Sequence, residues 1–166
     1  KKILIFSTPF DFESADFLEK LNVCAYKIAS ADLVNLPLIE HVAKKNKPLI
    51  ISTGMSTISE IDEAVETVRS TGNKNLAVLH CNSSYPSAHS EVNLKFMNNL
   101  KSLYQIPVGF SDHTIGDLAA KVAVTQGATI IEKHFKVDND KSSIDSHFSM
   151  ELSNFIKFKK DLNDIN

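Results

Sequence analysis

IPVGFSDHTIGDLAAKVAVTQGATIIEKHF, residues 106–135, holds a strand, a helix and a second strand in immediate succession. Its two ends, IPVGFS (106–111) and TIIEKHF (129–135), are nearly unbroken apolar runs, the pattern of strands covered on both faces. The segment between them, IGDLAAKVAVTQGA, repeats its apolar residues at helical spacing, and Gly127 stands where that helix should stop. A strand, a crossover helix and a second strand make the repeating unit of a parallel sheet.

The same pattern extends outward through the chain. Further strand-like runs are KILIFS (2–7), AYKIAS (25–30), PLIIST (48–53) and LAVLHC (76–81). Helical patterns lie between them: SADFLEKL, LPLIEHVAKK, TISEIDEAVETVRST and VNLKFMNNLKSLY, with LSNFIKFKKDLND after the last strand. Thr57 and Glu60 form a capping-box signature, and Gly72 marks a helix stop. Six strand-helix units in strict alternation predict an α/β fold with an all-parallel sheet. At roughly 28 residues per unit, six units are two short of the eight that close a TIM (β/α)8 barrel. The chain starts at Lys1 with no initiator Met. Residues 1–166 are therefore expected to be a partial TIM-barrel catalytic domain of about six of the eight units, lacking the first two. An open doubly wound sheet is the alternative, but it would carry a Gly-rich phosphate turn after a strand, and the five glycines are scattered.

Composition narrows the class. A 43% hydrophobic content and a net charge of −2 describe a soluble globular protein without the basic excess that nucleic acid or an anionic membrane surface requires. No apolar stretch approaches the ~20 residues of a membrane span. KKILIFSTPF has a charged start, but its apolar core is too short for a signal peptide and no small-residue cleavage site follows. Cys24 and Cys81 show no metal-site spacing and read as reduced thiols of a cytoplasmic protein.

In a barrel, chemistry gathers at the carboxyl ends of the strands. Here those ends carry Ser7 and Thr8; Lys27 and Ser30; Ser52 and Thr53; His80, Asn82, Ser83 and Tyr85; Ser111, Asp112 and His113; Glu132, Lys133 and His134. Strand alternation puts Ser111 and His113 on one face with Asp112 on the other, and Glu132 and His134 on one face with Lys133 on the other. Three adjacent strand residues cannot make the serial contacts of a Ser-His-Asp triad. His113 and His134, on adjacent strands with Glu132 and Asp145 nearby in sequence, instead suit a shared divalent metal with open positions. His41 and His89, in a helix and a loop, read as solvated. Thr8, Lys27, Ser30, Ser52, Ser83 and Ser111 suit a phosphate or carboxylate, with Lys27 either pairing with an anion or forming a Schiff base.

FSTPFD, YKIAS, KPLIISTGM, HCNSSYP, VGFSDHTIG, IEKHF and IDSHFS, in this order along essentially the whole chain, resemble the N-acetylneuraminate (sialic acid) synthase family, which includes legionaminate and pseudaminate synthases. The resemblance implies a TIM barrel that condenses phosphoenolpyruvate with an N-acylated amino sugar aldehyde, releasing phosphate and forming a nine-carbon 2-keto acid. It implies a divalent cation, typically Mn2+, held by His113 and His134. It implies phosphoenolpyruvate contacts from Thr8, Lys27, Ser30, Ser52 and Ser111, with Ser83 standing where the family often has asparagine. Tyr85 and Asp145 match positions at the sugar end. Asp32 stands where glutamate is common, and Glu132 matches the acid before KHF. Asp145, Glu132 and Asp32 are thus the candidate catalytic, proton-handling groups. The family's C-terminal antifreeze-like domain, which completes the partner's sugar site in a homodimer, is not in this sequence, so the 166 residues alone are expected to be nearly inactive. Rival readings are a Schiff-base aldolase using Lys27, a metal-dependent TIM-barrel hydrolase using His113 and His134, and a non-catalytic fragment that binds acidic sugars.

Overall fold

Asp11, Asn35 and Thr57 each accept a hydrogen bond from the first turn of the helix that follows, and so set where three helices begin. Thr57 and Glu60 complete the reciprocal capping box that their spacing predicts. The computed structural model describes residues 3–165. It alternates α1 (Phe12–Lys20), β1 (Tyr26–Ile28), α2 (Leu36–Ala43), β2 (Leu49–Ser52), α3 (Ile58–Ser70) and β3 (Leu76–Cys81). There follow α4 (Phe96–Tyr104), β4 (Val108–Asp112), α5 (Leu118–Thr125), β5 (Ile131–Lys133), β6 (Phe135–Lys136), β7 (Met150–Glu151) and α6 (Leu152–Ile165). All six expected helices are present. Gly72 and Gly127, at φ +83° and +90°, follow α3 and α5 in the left-handed region that glycine adopts without a Cβ clash.

The chain divides into two compact units, one ending at Leu79 and the other beginning at His80, within β3. In the first unit the strands lie in the order β1-β2-β3 and pair in parallel, with Tyr26 beside Leu49 and Leu49 beside Leu76. Tyr26, Ile28, Leu38, Ile51, Ile61 and Val68 are among its buried apolar residues. Asn73 fastens the turn after α3: its amide donates to the carbonyls of Ala43 and Lys47 at 3.2 and 2.9 Å, and its oxygen accepts from Asn75 N–H at 2.9 Å. Asn73 is 3% exposed, so water does not replace these bonds if they are lost. Asn73→Ala is expected to cost about 2 kcal/mol of unfolding free energy in urea; a loss below about 0.5 kcal/mol would show the turn holds without the amide.

In the second unit the order is β3-β4-β5, with β4 and β5 parallel and Phe110 beside Ile131. Ala120, Met150 and Phe158 pack together with Ile131, Phe155 and Leu162 against them. The two short strands β6 and β7, which periodicity does not reveal, pair in parallel through Phe135–Met150 and Lys136–Glu151.

One expected strand is not formed. Of KILIFS, Lys2 lies outside the described residues, and Ile3, Leu4 and Ile5 are 85, 76 and 78% exposed. Only Ser7 bridges to β1, where its carbonyl accepts from Lys27 N–H at 3.2 Å. A hydrophobic run becomes a strand where a neighbour pairs with it, and β1 spans only three residues. Among the described residues the main sheet therefore has five strands where the pattern predicts six. AYKIAS shortens for a related reason: Ser30–Asp32 turns into a 3-10 helix.

Candidate active site

In the second unit, the register of β4 against β5 sets Ser111 beside Glu132 and Asp112 beside Lys133. Side chains alternate across the sheet, so the two pairs face opposite ways. Ser111 Oγ donates to Glu132 Oε1 at 2.7 Å, and on the other face Lys133 Nζ lies 2.8 Å from Asp112 Oδ2. One residue further along each strand, the rings of His113 and His134 come together with centroids 5.4 Å apart. Alternation predicts which of these six residues share a face, and the register adds which of them meet across the strands.

His113 is buried, and its Nδ1 lies 2.8 Å from the Asn82 carbonyl. A carbonyl only accepts, so Nδ1 carries the proton and the Nε2 lone pair is left available. Burial pushes the His113 imidazole below its ordinary range, with the Asn82 bond acting in the opposite direction. The ring is thus held neutral, the form that ligates a metal. His134 Nδ1 is 3.6 Å from Asp145 Oδ2, too long for a hydrogen bond. Asp145 lies eleven positions beyond His134 in the chain, yet the loop between them folds back. Met150 N–H donates to the His134 carbonyl at 3.0 Å, and Ser149 N–H and Oγ donate to the Asp145 carbonyl at 3.1 and 2.8 Å.

Aromatic rings flank the imidazoles. Tyr85 lies 4.1 Å from His113 and 6.2 Å from His134, centroid to centroid, and Phe148 lies 4.9 Å from His134. Burial, then the fields of Cys81, Glu132 and Asp145, raise the Tyr85 hydroxyl above the usual phenol range. Ser83 Oγ is buried and has no hydrogen-bond partner among the described residues. A buried hydroxyl left in that state costs free energy unless a ligand or water satisfies it.

The first unit carries the other candidates. Lys27 shares a register row with Ile50, and Ser52 projects from the same face two residues on. Lys27 is 7% exposed, with Nζ 3.5 Å from the Ile28 carbonyl. Ser30 Oγ accepts from Gly54 N–H at 3.0 Å, which ties the turn after β1 to the turn after β2. Ser52 Oγ is buried without a partner among the described residues. Thr8 and Asp32 are half-buried, Thr8 just past the Ser7 bridge and Asp32 in the 3-10 turn that Ser30 opens.

Phe148 emerges only from the structure, and His80, named among the strand-end residues, gains its role there. Phe148, 3% exposed, forms part of the aromatic wall, and nothing in IDSHFS sets its ring apart from an ordinary core phenylalanine. His80 Nε2 lies 2.7 Å from the Val92 carbonyl and so anchors the segment that carries Tyr85. His41, read as solvated, is instead 2.7 Å from Asp16 and packs on Phe12, because α1 and α2 lie side by side. Cys24 and Cys81 are free thiols.

The donor set fits a divalent cation held by two imidazoles. Among the described residues no group of three His, Cys, Asp or Glu side chains has metal-binding geometry. His113 and His134 could fill two positions, with water or substrate oxygens in the rest.

A profile of the NeuB family matches residues 1–166. The chain belongs to the NeuB family. It is 44% identical over 151 residues to the N,N'-diacetyllegionaminic acid synthase of Campylobacter jejuni, across 90% of this chain and 45% of that protein. It is 42% identical over 151 residues to the pseudaminic acid synthase of Helicobacter pylori, across 91% of this chain and 44% of that protein. The crystal structure of an N-acetylneuraminic acid synthetase from Leptospira borgpetersenii superposes with a TM-score of 0.94 at 38% identity, across 98% of this chain and 57% of that one. This NeuB chain spans about half the length of the curated relatives it matches. A 3-deoxy-D-arabino-heptulosonate 7-phosphate synthase from Thermotoga maritima shares the fold at a TM-score of 0.82 and 16% identity, over 98% of this chain and 64% of that one. These neighbours are TIM barrels, and the parallel strand-helix units of the NeuB chain are part of that fold. Among the described residues, no helix is long and apolar enough to cross a membrane.

Proposed function

We propose that the protein carrying this chain is a nonulosonic acid synthase. It condenses phosphoenolpyruvate with an N-acylated amino sugar aldehyde, N-acetylmannosamine or a 6-deoxy diacetamido analogue, to a nine-carbon 2-keto sugar acid, and releases phosphate. The observation that carries this reading is the His113–His134 pair, with one ring held as the Nδ1–H tautomer and the two flanked by Tyr85 and Phe148. The names of the relatives support it: three of them are synthases of legionaminic, pseudaminic and N-acetylneuraminic acids.

His113 and His134 would hold the cation, with Mn2+ the expected ion. When bound, it supplies Lewis-acid polarisation of the acceptor's aldehyde oxygen. The chain's own residues bind and orient. Lys27, Ser30, Ser52 and Thr8 are assigned to the carboxylate and phosphate of phosphoenolpyruvate, and the unpartnered Ser52 hydroxyl gives that assignment its physical basis. Ser111 belongs to the same substrate, and its bond to Glu132 lets the carboxyl hold a proton passed through the hydroxyl. Tyr85 and Asp145 are assigned to the sugar, as is the buried hydroxyl of Ser83. Asp32 is the acid assigned to the first unit. Carbon three of phosphoenolpyruvate bonds to the aldehyde carbon, water adds at carbon two, and phosphate departs from the tetrahedral adduct. Holding both ends of the enol phosphate makes the attack nearly intramolecular.

A phosphate-release assay on the full-length protein with Mn2+ tests the reading. Phosphate is expected to appear only when phosphoenolpyruvate and the amino sugar are both present, in a one-to-one ratio with a nine-carbon keto acid seen by mass spectrometry. Phosphate release that is indifferent to the sugar, or absent with every N-acylated acceptor, would overturn it.

A further inference from the structure

Lys133 and Asp112 take no part in the chemistry above, yet each immediately precedes one of the two histidines and is fully withdrawn from water, with side-chain exposures of 2 and 0%. Lys133 Nζ donates twice, to Asp112 Oδ2 at 2.8 Å and to the Thr114 carbonyl at 2.8 Å. Asp112 Oδ1 in turn accepts from Thr114 N–H at 2.8 Å. The ammonium at the end of β5, just before His134, thus grips the chain on both sides of His113. It does so where the β4–β5 register ends, since Asp112 beside Lys133 is the last pair of the ladder. Beyond that point no ladder bond between β4 and β5 fixes how far apart the two imidazoles stand.

We propose that Lys133 and Asp112 are positioning residues whose ion pair sets the spacing of the His113 and His134 rings, and through it the affinity of the site for a divalent cation. The second clause rests on the metal reading given above; the first does not. A buried ion pair is a weak source of net stability, because desolvation offsets the attraction, and a well-packed apolar replacement is often neutral. Breaking one partner alone leaves an unpaired buried charge and endangers the fold. A buried pair at this place is therefore better explained by geometry than by stability. Residues that orient metal-ligating histidines typically change metal affinity 10- to 100-fold when replaced.

The test uses the double variant Asp112→Asn/Lys133→Met, which removes both charges together and keeps an acceptor for Thr114 N–H. Two measurements are made on full-length protein that still melts cooperatively. In the metal-free state, the nuclear Overhauser contacts between the His113 and His134 rings are expected to weaken or vanish. Mn2+ affinity, read from the electron paramagnetic resonance signal of the free ion, is expected to fall about 10- to 100-fold. A folded double variant that keeps wild-type ring contacts overturns the proposal. If wild-type protein binds Mn2+ no better than His113→Ala, the metal reading fails, and the ring contacts alone still decide whether the pair sets the spacing.

Discussion

His113→Ala is expected to weaken Mn2+ binding about a hundredfold and to cut phosphate release from phosphoenolpyruvate by about a thousandfold or more. The second figure follows from the several kcal/mol that Lewis-acid polarisation supplies to a transition state. His134→Ala should do the same, and the double substitution should be little worse than either single one, because groups that act as a unit lose their effect together. The expectation is strongest for His113. Its Nδ1–H is spent on the Asn82 carbonyl and its basicity is lowered by burial, so the neutral ring with a free Nε2 is its resting form. Packing is the rival explanation, since removing the ring also removes a 4.1 Å contact with Tyr85. Phe148→Leu separates the two. It thins the same aromatic wall while leaving both imidazoles, and it should cost far less Mn2+ affinity than either histidine substitution. Single histidine variants that bind Mn2+ within threefold of wild type would end the metal reading.

Much of this arrangement is legible in the chain because period-two alternation and parallel register are rigid rules. From GFSDH and IEKH alone, Ser111 falls in line with His113 and Glu132 with His134, and the observed contacts Ser111–Glu132, Asp112–Lys133 and His113–His134 follow once the two strands lie side by side. The helices are equally legible, since caps such as Thr57–Glu60 and stops such as Gly127 are local chemistry. Features made by distant pairing are not. KILIFS has the composition of a strand, but a strand also needs a partner, and beyond Ser7 it has none along β1. Asp145 reaches His134 because two-residue strands pin the loop between them, and two residues show no periodicity. His41 looks like a surface histidine until α1 sets Asp16 against it. Phe148 becomes part of the site only through the same loop closure that delivers Asp145.

The strand ends divide their labour by face. On β4 and β5, one face presents Ser111 and Glu132, with the imidazoles one residue beyond, while the opposite face carries a dry ion pair. The ladder stops one residue short of the two imidazoles, and the ion pair lies at its last rung. In the first unit the economy differs. Ser30 Oγ spends its acceptor on Gly54 N–H and so fixes a turn, whereas Ser52 Oγ spends nothing. The Ser30 hydroxyl shapes the backbone through its acceptor and keeps its own proton to donate, whereas the Ser52 hydroxyl has no partner among the described residues.

Lys27→Met is expected to raise the KM for phosphoenolpyruvate and to lower kcat/KM by about 100- to 1,000-fold, the worth of one charge-assisted contact to an anion in a water-excluded site. Lys27 is 7% exposed and lies on the same sheet face as the unpartnered Ser52, so methionine preserves the packing of the stem while removing the charge. The same side chain also has the chemistry for a Schiff base with a keto acid, and the two uses part company under one treatment. Borohydride with pyruvate leaves a stable mass adduct on a Schiff-base lysine and none on a lysine that only pairs with an anion. Wild-type protein is expected to show no adduct, and chelation of the metal is expected to abolish phosphate release. An adduct that maps to Lys27 and disappears in Lys27→Met, in protein whose turnover survives the chelator, would make this an aldolase site. Loss of kcat/KM through KM, without an adduct, assigns Lys27 to the anion.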